Sequence, residues 1–357
     1  MSLIWNKLIR PALFALDAEV AHELGMKGLR SGFSRSFAGK APKFDLGPIQ
    51  RFGLQFSNPL GMAAGFDKDG VAVNQLADLG FGFVEVGTVT LKAQPGNPKP
   101  RVFRLPKDKA LINRLGFNND GAEAVAGRLR KLDRKCVVGV NIGKNKDVPN
   151  EEAVQNYLAT LEIIHPVADY IAVNISSPNT PNLRELQRSD SLEGLVRALQ
   201  SRNRELGAKP LLVKIAPDLA EQEIEAAVDI CLRHEVSGII ATNTTISRTG
   251  LETTKVERIG AGGLSGRPLA KRSTEVIAAI YKYSRSNLPI IGVGGMFDAN
   301  DAFEKIAAGA TLLQAYTGFV YGGPGFAHQI NSGLLRLLKE RGFGKLDEAV
   351  GSGIRLS

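Results

Sequence analysis

The sequence predicts an α/β protein, a (β/α)8 TIM barrel with an N-terminal helical extension and a β-hairpin at the barrel bottom. From about residue 58, short apolar runs alternate with helix-length amphipathic segments, the order expected of a parallel sheet with crossover helices. Eight such runs over roughly 280 residues match the strand number and size of this fold. Each run is apolar almost throughout, as in strands that are covered on both faces.

The eight predicted strands are short and end in polar residues. They cover residues 58–65, 83–89, 136–143, 170–176, 210–216, 238–244, 289–295 and 310–316. Ahead of them, residues 44–57 (FDLGPIQ and RFGLQFS) predict a hairpin that plugs the N-terminal end of the barrel. Residues 1–38 predict two short helices, divided near Pro11 and Asp17, with Asp17 as the N-cap of the second.

We therefore expect three segments: a helical extension (1–38), the barrel (39–340) and a C-terminal tail (341–357). The first helix is apolar but carries Lys7 and Arg10, a composition typical of helices that lie in a membrane interface. The alternative is a helical cover packed on the barrel. No stretch approaches the roughly 20 apolar residues that cross a bilayer, and polar residues interrupt the N-terminal run, so a cleaved signal peptide is not expected.

Composition limits the possible partners. The chain has 357 residues, of which 43% are hydrophobic, enough to bury a large core. Its net charge of +9 suits an anionic small molecule, an acidic membrane surface or nucleic acid, but no RNP-like motif supports nucleic acid. The two cysteines and four histidines are scattered, which indicates a reducing compartment and no metal site.

Chemistry is expected at the C-terminal ends of the barrel strands. GVGG (292–295) and YTGF (316–319) follow strands seven and eight, where barrels commonly bind phosphate through backbone N–H groups, although glycine clusters also form plain turns. Lys68 follows the first strand, and Lys214 lies inside the fifth. Because an unpaired lysine is costly to bury, we expect Lys214 to face either a carboxylate or an electron-rich cofactor.

Asparagines form the third polar feature of these strand ends. The asparagine side chain both donates and accepts hydrogen bonds, so a ring of them suits a neutral planar ligand with amide groups. Each one alone is also typical of a turn or a cap. The five are Asn113, Asn141, Asn174, Asn179 and Asn243.

Ten motifs resemble those of the dihydroorotate dehydrogenase family, in that family's order, between about residues 58 and 330. They are NPLGMAAGFDKDG, GTVTLKAQPGNPKPRVFRL, INRLGFNN, VNIGKNK, NISSPNTPNLR, VKIAPD, IIATNTT, GGLSGRPL, PIIGVGG and QAYTGF. The N-terminal extension resembles that of class 2, the membrane-associated and quinone-using branch. Ser177 also resembles this branch, since the cytosolic class has cysteine there.

The resemblance implies oxidation of dihydroorotate to orotate in pyrimidine biosynthesis, with FMN as cofactor. It implies that Ser177 takes the C5 proton while a hydride passes from C6 to the flavin; alone, a serine in SSPNTP is typical of a turn. FMN would be held by Ala64, Gly65, Lys68, Thr88, Asn141, Asn174, Lys214, Thr242, Gly266, Gly295, Tyr316 and Thr317. Dihydroorotate would be held by Lys68, Asn113, Arg114, Leu115, Gly116, Phe117, Asn174, Asn179, Asn243 and Thr244.

The resemblance also implies that a membrane quinone reoxidises the flavin through a tunnel formed by residues 1–38, with Arg104 and Tyr316 towards the flavin. The protein is then expected in peripheral contact with the cytoplasmic face of the cell membrane, taken as a bacterial inner membrane. Three alternatives stay open. They are the same flavin chemistry with fumarate or a nicotinamide cofactor as oxidant, a phosphate-binding barrel isomerase or lyase without flavin, and a basic membrane or nucleic-acid binding module.

Overall fold

The computed structural model describes residues 4–32 and 44–355. At the N-terminus, a π-helical turn (Trp5–Ile9) continues into helix α1 (Arg10–Ala15), and α2 (Ala18–Arg30) follows. The Asp17 side chain accepts hydrogen bonds from the backbone N–H groups of Glu19 (2.9 Å) and Val20 (3.1 Å). The two predicted helices and the N-cap are thus confirmed, while residues 1–3 and 33–38 of the predicted extension lie outside the described residues. Within the described ranges, no helix is long and apolar enough to cross a membrane.

Thirteen strands are described, and eight of them are parallel and close into the predicted barrel in the order β3-β4-β7-β8-β9-β10-β12-β13. The strands are β1 (Ile49–Arg51), β2 (Leu54–Phe56), β3 (Leu60–Met62), β4 (Phe83–Val89), β5 (Val102–Leu105), β6 (Ala110–Asn113), β7 (Val137–Ile142), β8 (Tyr170–Asn174), β9 (Leu211–Ile215), β10 (Gly238–Ala241), β11 (Gly263–Gly266), β12 (Ile290–Val293) and β13 (Leu312–Ala315). Every predicted strand contains one barrel strand. Several predictions run too far at the C-terminal end, where residues such as Ser176 and Thr244 belong to loops.

Ten further α-helices are described, and the longer ones cover the outside of the barrel. They are α3 (Val73–Asp78), α4 (Ala122–Arg130), α5 (Ala153–Ile164), α6 (Ser189–Glu205), α7 (Glu221–Arg233), α8 (Ala270–Tyr283), α9 (Ala299–Ala307), α10 (Thr317–Gly322), α11 (Phe326–Glu340) and α12 (Leu346–Ala349). The barrel strands are buried almost throughout, because this helical layer covers the face opposite the barrel interior. Within the predicted tail, the Leu346 N–H donates to the Leu46 carbonyl (3.0 Å), so this segment packs back on the barrel.

The hairpin prediction is confirmed. Strands β1 and β2 pair in antiparallel fashion, and the Phe56 ring lies 5.3 Å from the Phe83 ring at the start of β4. Phe52, in the hairpin turn, packs at the start of β10, where a Cβ added to Gly238 would lie 2.8 Å from its ring. The hairpin therefore covers the N-terminal end of the barrel.

A three-stranded antiparallel sheet, β5-β6-β11, stands beside the barrel and was not predicted. It has its own small core, in which Leu105, Ile112 and Leu264 pack together. Asn113, expected at a barrel strand end, lies instead at the end of β6, opposite Gly263 of β11. The sheet also forms one wall of a cleft at the C-terminal end of the barrel.

Candidate active site

One cleft opens at the C-terminal end of the barrel, between the strand ends and the inserted sheet, with a cavity volume of about 150 Å³. It brings together most of the residues that the sequence predicts as a site. Those that line it are Ala64, Gly65, Lys68, Thr88, Asn113, Leu115, Gly116, Phe117, Asn174, Ser177, Asn179, Lys214, Thr242, Asn243, Thr244, Gly266, Gly295, Tyr316 and Thr317.

Two predicted site residues do not line the cleft. Asn141 is fully buried behind it, where its Oδ1 accepts hydrogen bonds from Thr88 (2.5 Å) and Asn174 (3.1 Å). Arg114 points away: its guanidinium donates to the Ala261 carbonyl (3.1 Å) and lies 4.5 Å from the centre of the Phe103 ring. Asn141 thus positions cleft residues, and Arg114 fastens the inserted sheet to a neighbouring loop.

Glycines shape one end of the cleft. Gly295 has φ 71° and Gly266 has φ 101°, in the region that favours glycine. A Cβ on Gly295 would lie 2.3 Å from the Ala270 Cα, and one on Gly266 would lie 2.3 Å from the Lys109 carbonyl oxygen. Beside them, the Thr317 and Ser265 hydroxyls share a hydrogen bond of 2.8 Å. The backbone here can approach a bound anion closely, as the GVGG and YTGF motifs predict.

The predicted asparagines form two connected groups. In one, Asn243 donates to the Asn174 Oδ1 (3.2 Å), and Asn174 donates onward to Thr88 (2.9 Å). In the other, Asn179 donates to the Asn113 Oδ1 (3.0 Å), which joins a barrel loop to the inserted sheet. The asparagines therefore hold one another in place within each group, and the second group joins the barrel to the inserted sheet.

Glu85 lies beneath the cleft, and the sequence analysis missed it. This fully buried carboxylate accepts hydrogen bonds from Asn141 (2.9 Å), Tyr170 (3.0 Å) and Gln314 (2.6 Å). Lys214 Nζ lies 3.8 Å from it, so Lys214 faces a carboxylate while it also lines the cleft. The signal was present in FVEVGTV, where Glu85 is the one charged residue in an apolar strand.

Burial shifts the pKa of both cleft lysines in the same direction, and different carboxylates oppose the shift. Burial lowers the pKa of Lys214, and the neighbouring Glu85 carboxylate opposes that shift. Burial also lowers the pKa of Lys68, with Asp69 and Glu19 acting in the opposite direction. Both ammonium groups are therefore poised to gain from an anionic ligand, since a negative charge favours the protonated form.

Ser177 follows β8 and is 5% exposed. Its Oγ accepts a hydrogen bond from the Asn179 N–H (3.2 Å), which fixes its position at the cleft wall. Close by in sequence, the Thr180 Oγ1 is buried and has no hydrogen-bond partner among the described residues. The loop thus carries two buried hydroxyls, three positions apart in the sequence.

A second cavity of about 300 Å³ lies between the N-terminal helices and the barrel mouth. Its lining is mostly apolar and includes Leu13, Phe14, Leu29, Phe66, Phe319 and Val320. It adjoins the cleft at shared lining residues, which are Lys68, Val102, Leu111, Leu115 and Tyr316. Arg104 lines this cavity, and its guanidinium donates to the Leu16 carbonyl (2.7 Å).

His22 of α2 lines the same cavity. Burial lowers its pKa to about 3, with Lys68 adding to the shift, so the imidazole is neutral at physiological pH. Its ring meets the Phe66 ring edge-on at 4.9 Å. The helices are attached to the barrel by the Glu19–Arg101 ion pair (2.7 Å) and by the Trp5 indole N–H, which donates to the Tyr321 carbonyl (3.1 Å).

Comparison with known proteins identifies the family. The family model described as dihydroorotate dehydrogenase matches residues 49–338. The chain is 50% identical over 353 residues to the dihydroorotate dehydrogenase (quinone) of Gloeobacter violaceus, covering 97% of this chain and 98% of the relative. It is 46% identical over 354 residues to the protein of the same name from Mycobacterium tuberculosis, covering 98% of each.

Solved structures agree with this assignment. The dihydroorotate dehydrogenase of Eimeria tenella in complex with ferulenol superposes with a TM-score of 0.86 at 38% identity, covering 94% of this chain and 96% of that one. Its ligand-free form gives the same TM-score at 39% identity, covering 95% and 100%. The cleft, the inserted sheet and the N-terminal helices therefore belong to a member of the dihydroorotate dehydrogenase family, class 2.

Proposed function

We propose that this dihydroorotate dehydrogenase oxidises its substrate to orotate by a serine-assisted route, with FMN as cofactor and a membrane quinone as the final oxidant. One observation carries the proposal. Lys68, Ser177 and Asn243, from three different strand-end loops, line a single cleft together with Lys214 of strand β9. A basic membrane or nucleic-acid binding module would have no need of this arrangement.

The residues of the cleft fit FMN. The turns at Gly266 and Gly295, with Thr317, would hold the phosphate, because only glycine fits there and the backbone is accessible to an anion. Gln314 Oε1 is buried without a hydrogen-bond partner among the described residues, which leaves an acceptor for an N–H group of a bound ring. Lys214 would place a positive charge beside the electron-rich part of that ring.

When bound, FMN would accept the hydride that leaves C6 of dihydroorotate. Ser177 would take the proton from C5, and loss of both creates the C5=C6 double bond of orotate. A serine hydroxyl is a weak base, so burial and a fixed Oγ position are what make it competent. The Thr180 hydroxyl, which has no hydrogen-bond partner among the described residues, would pass the proton on.

The substrate would be oriented by charge and by amide hydrogen bonds. Lys68 would pair with the carboxylate of dihydroorotate. Asn113, Asn179 and Asn243 would bind the ring, since each offers donors and an acceptor without adding charge. Asn179 Oδ1 is buried and unpartnered among the described residues, and so is available to a ligand N–H.

An absorbance spectrum tests the core of this proposal. Purified protein is expected to be yellow, and anaerobic dihydroorotate is expected to bleach the flavin band. A colourless preparation that takes up no added FMN would refute the cofactor assignment, and would favour a barrel isomerase or lyase. A yellow protein whose flavin band is not bleached by dihydroorotate would refute dihydroorotate as the substrate.

The second cavity supports the proposal that a quinone is the oxidant. It is twice as large as the cleft by volume, mostly apolar, and reaches the cleft at Lys68 and Tyr316, so an apolar oxidant could approach the cofactor there. The expected result is rapid reoxidation of the reduced protein by a short-chain quinone. Faster reoxidation by fumarate or a nicotinamide cofactor would instead favour a soluble oxidant.

Peripheral membrane contact is proposed for the N-terminal helices, at the cytoplasmic face of a bacterial inner membrane. These helices expose large apolar side chains that do not line the second cavity: Ile4 (56%), Leu8 (67%), Leu16 (41%) and Val20 (45%). Lys7 and Arg10 lie on the same segment and would favour anionic lipid. Flotation with anionic lipid vesicles tests this, and a protein that stays at the bottom of the gradient would count against it.

A further inference from the structure

Lys305 is a buried lysine that the proposed chemistry does not use. It lies on α9 and is 1% exposed. Its Nζ donates to the Ser273 and Thr274 hydroxyls (both 3.1 Å) and to the Ala270 carbonyl (3.4 Å). Within the described ranges it forms no ion pair with a carboxylate, unlike Lys214, and burial lowers its pKa to about 7.

All three contacts lie within the first five residues of α8, and the glycine turn of the cleft packs on the same segment. A Cβ on Gly294 would lie 3.0 Å from the Ser273 Cβ, and one on Gly295 would lie 2.3 Å from the Ala270 Cα. The Ser273 hydroxyl accepts from Lys305 and donates to the Val293 carbonyl (2.6 Å), just before the glycines. The Lys305 ammonium is thus separated from the glycine turn by one layer of residues.

At neutral pH a lysine with a pKa of about 7 is only partly protonated, so what would favour its charged form needs an explanation. An ammonium group that is buried without a carboxylate is costly, and the N-terminal end of a helix such as α8 adds further positive potential. On its own helix, Asp301 and Glu304 act on Lys305 only beyond contact distance, and Asp301 pairs with Arg267 (2.5 Å). A neutral side chain could join α9 to α8 equally well, so this link does not explain why the residue is a lysine. An anion held by the glycine turn would offset the positive charge of Lys305.

We infer that Lys305 is a binding determinant for the phosphate of FMN, acting through the Gly294–Gly295 turn without contacting the phosphate. This inference rests on the proposed function, since it assumes that FMN places its phosphate at that turn. It assigns a role to a residue that no site motif in the sequence contains.

Replacing Lys305 by an uncharged residue tests the inference in the holoenzyme. Lys305→Met removes the ammonium and keeps the length of the side chain, and Lys305→Gln keeps a donor for the Ser273 and Thr274 hydroxyls. Lys209→Met is the matched control, because Lys209 is a half-buried lysine whose Nζ donates to the Ala168 carbonyl at the opposite end of the barrel. The measurements are the Kd for FMN, the ³¹P NMR signal of bound FMN, the flavin absorption spectrum and the Tm of the apoprotein.

Both Lys305 variants are expected to bind FMN about tenfold more weakly or worse, the size of one charge interaction in a partly polar interior. The ³¹P chemical shift of bound FMN should change, whereas the flavin absorption spectrum and the Tm of the apoprotein should stay the same as in the unmodified protein. Three results would overturn the inference. They are an FMN Kd of the Lys305 variants within twofold of the unmodified protein, an FMN Kd fully restored in Lys305→Gln, and an equal loss of FMN affinity in Lys209→Met. Failure of the unmodified protein to bind FMN would instead refute the proposed function.

Discussion

Gly28→Phe offers a direct test of the second cavity. Gly28 lies on α2 and lines this cavity, and a Cβ added to it meets no atom within 4 Å. An apolar cavity of roughly 150 Å³ holds a benzene ring in another protein, so a phenyl group should fill about half of this volume of about 300 Å³. The variant is expected to slow reoxidation by a short-chain quinone at least about tenfold, because the apolar path to Tyr316 is narrowed.

The same substitution should not lower the free energy of unfolding of the protein. Replacing a helical glycine gains a few tenths of a kcal/mol, and burying an aromatic ring gains roughly 1.5–3 kcal/mol. Stopped-flow absorbance separates the two half-reactions: flavin reduction by dihydroorotate should match the unmodified protein, while reoxidation by quinone should not. Gly194→Phe on α6 is the control, since that helical glycine also has no neighbour within 4 Å and lines neither cavity. Reoxidation within twofold of the unmodified rate would refute the assignment of the cavity.

Three further outcomes are expected. Ser177→Ala should leave an FMN-loaded protein that dihydroorotate reduces about 10²–10⁴-fold more slowly in anaerobic stopped flow, because a general base contributes that much; an unchanged rate would remove Ser177 from the role. Glu85→Ala should lower the free energy of unfolding by roughly 3–5 kcal/mol in urea titrations, because Lys214 loses its buried partner; a loss below about 1 kcal/mol would show that the pair is dispensable. Deletion of residues 1–38 should spare flavin reduction and abolish quinone reduction, and a truncated protein that still turns over with quinone would contradict the tunnel.

The barrel could be predicted from the sequence because each strand carries its own signal. An almost wholly apolar run such as residues 83–89 must be covered on both faces. Eight such runs in series are compatible with few folds other than the barrel. The Asp17 cap is similarly local, since it depends on the next three residues alone. Features of this kind need no knowledge of distant partners.

The inserted sheet and the Glu85 cluster could not be predicted in the same way. Strand β6 is only four residues long and acquires its place by pairing with β11, which follows much later in the chain. Glu85 is visible as a charge in an apolar strand, but its donors come from β7, β8 and β13 and meet only when the barrel closes. Asn113 was expected at the cleft and lies there, yet on a strand of a different sheet.

The N-terminal helices are also connected to the proposed substrate side of the cleft, which decides how the truncation must be interpreted. Glu19 pairs with the buried Arg101, and Arg101 also donates to the carbonyls of Pro95 (2.6 Å) and Asn97 (2.9 Å). Asn97 in turn donates to the Asn179 carbonyl (3.1 Å), beside the proposed base. Without the helices, Arg101 keeps its two carbonyl partners, so the loop stays fastened and flavin reduction should persist. Gly28→Phe leaves Glu19 in place, and a selective loss of quinone turnover in that variant therefore cannot be attributed to a loosened substrate loop.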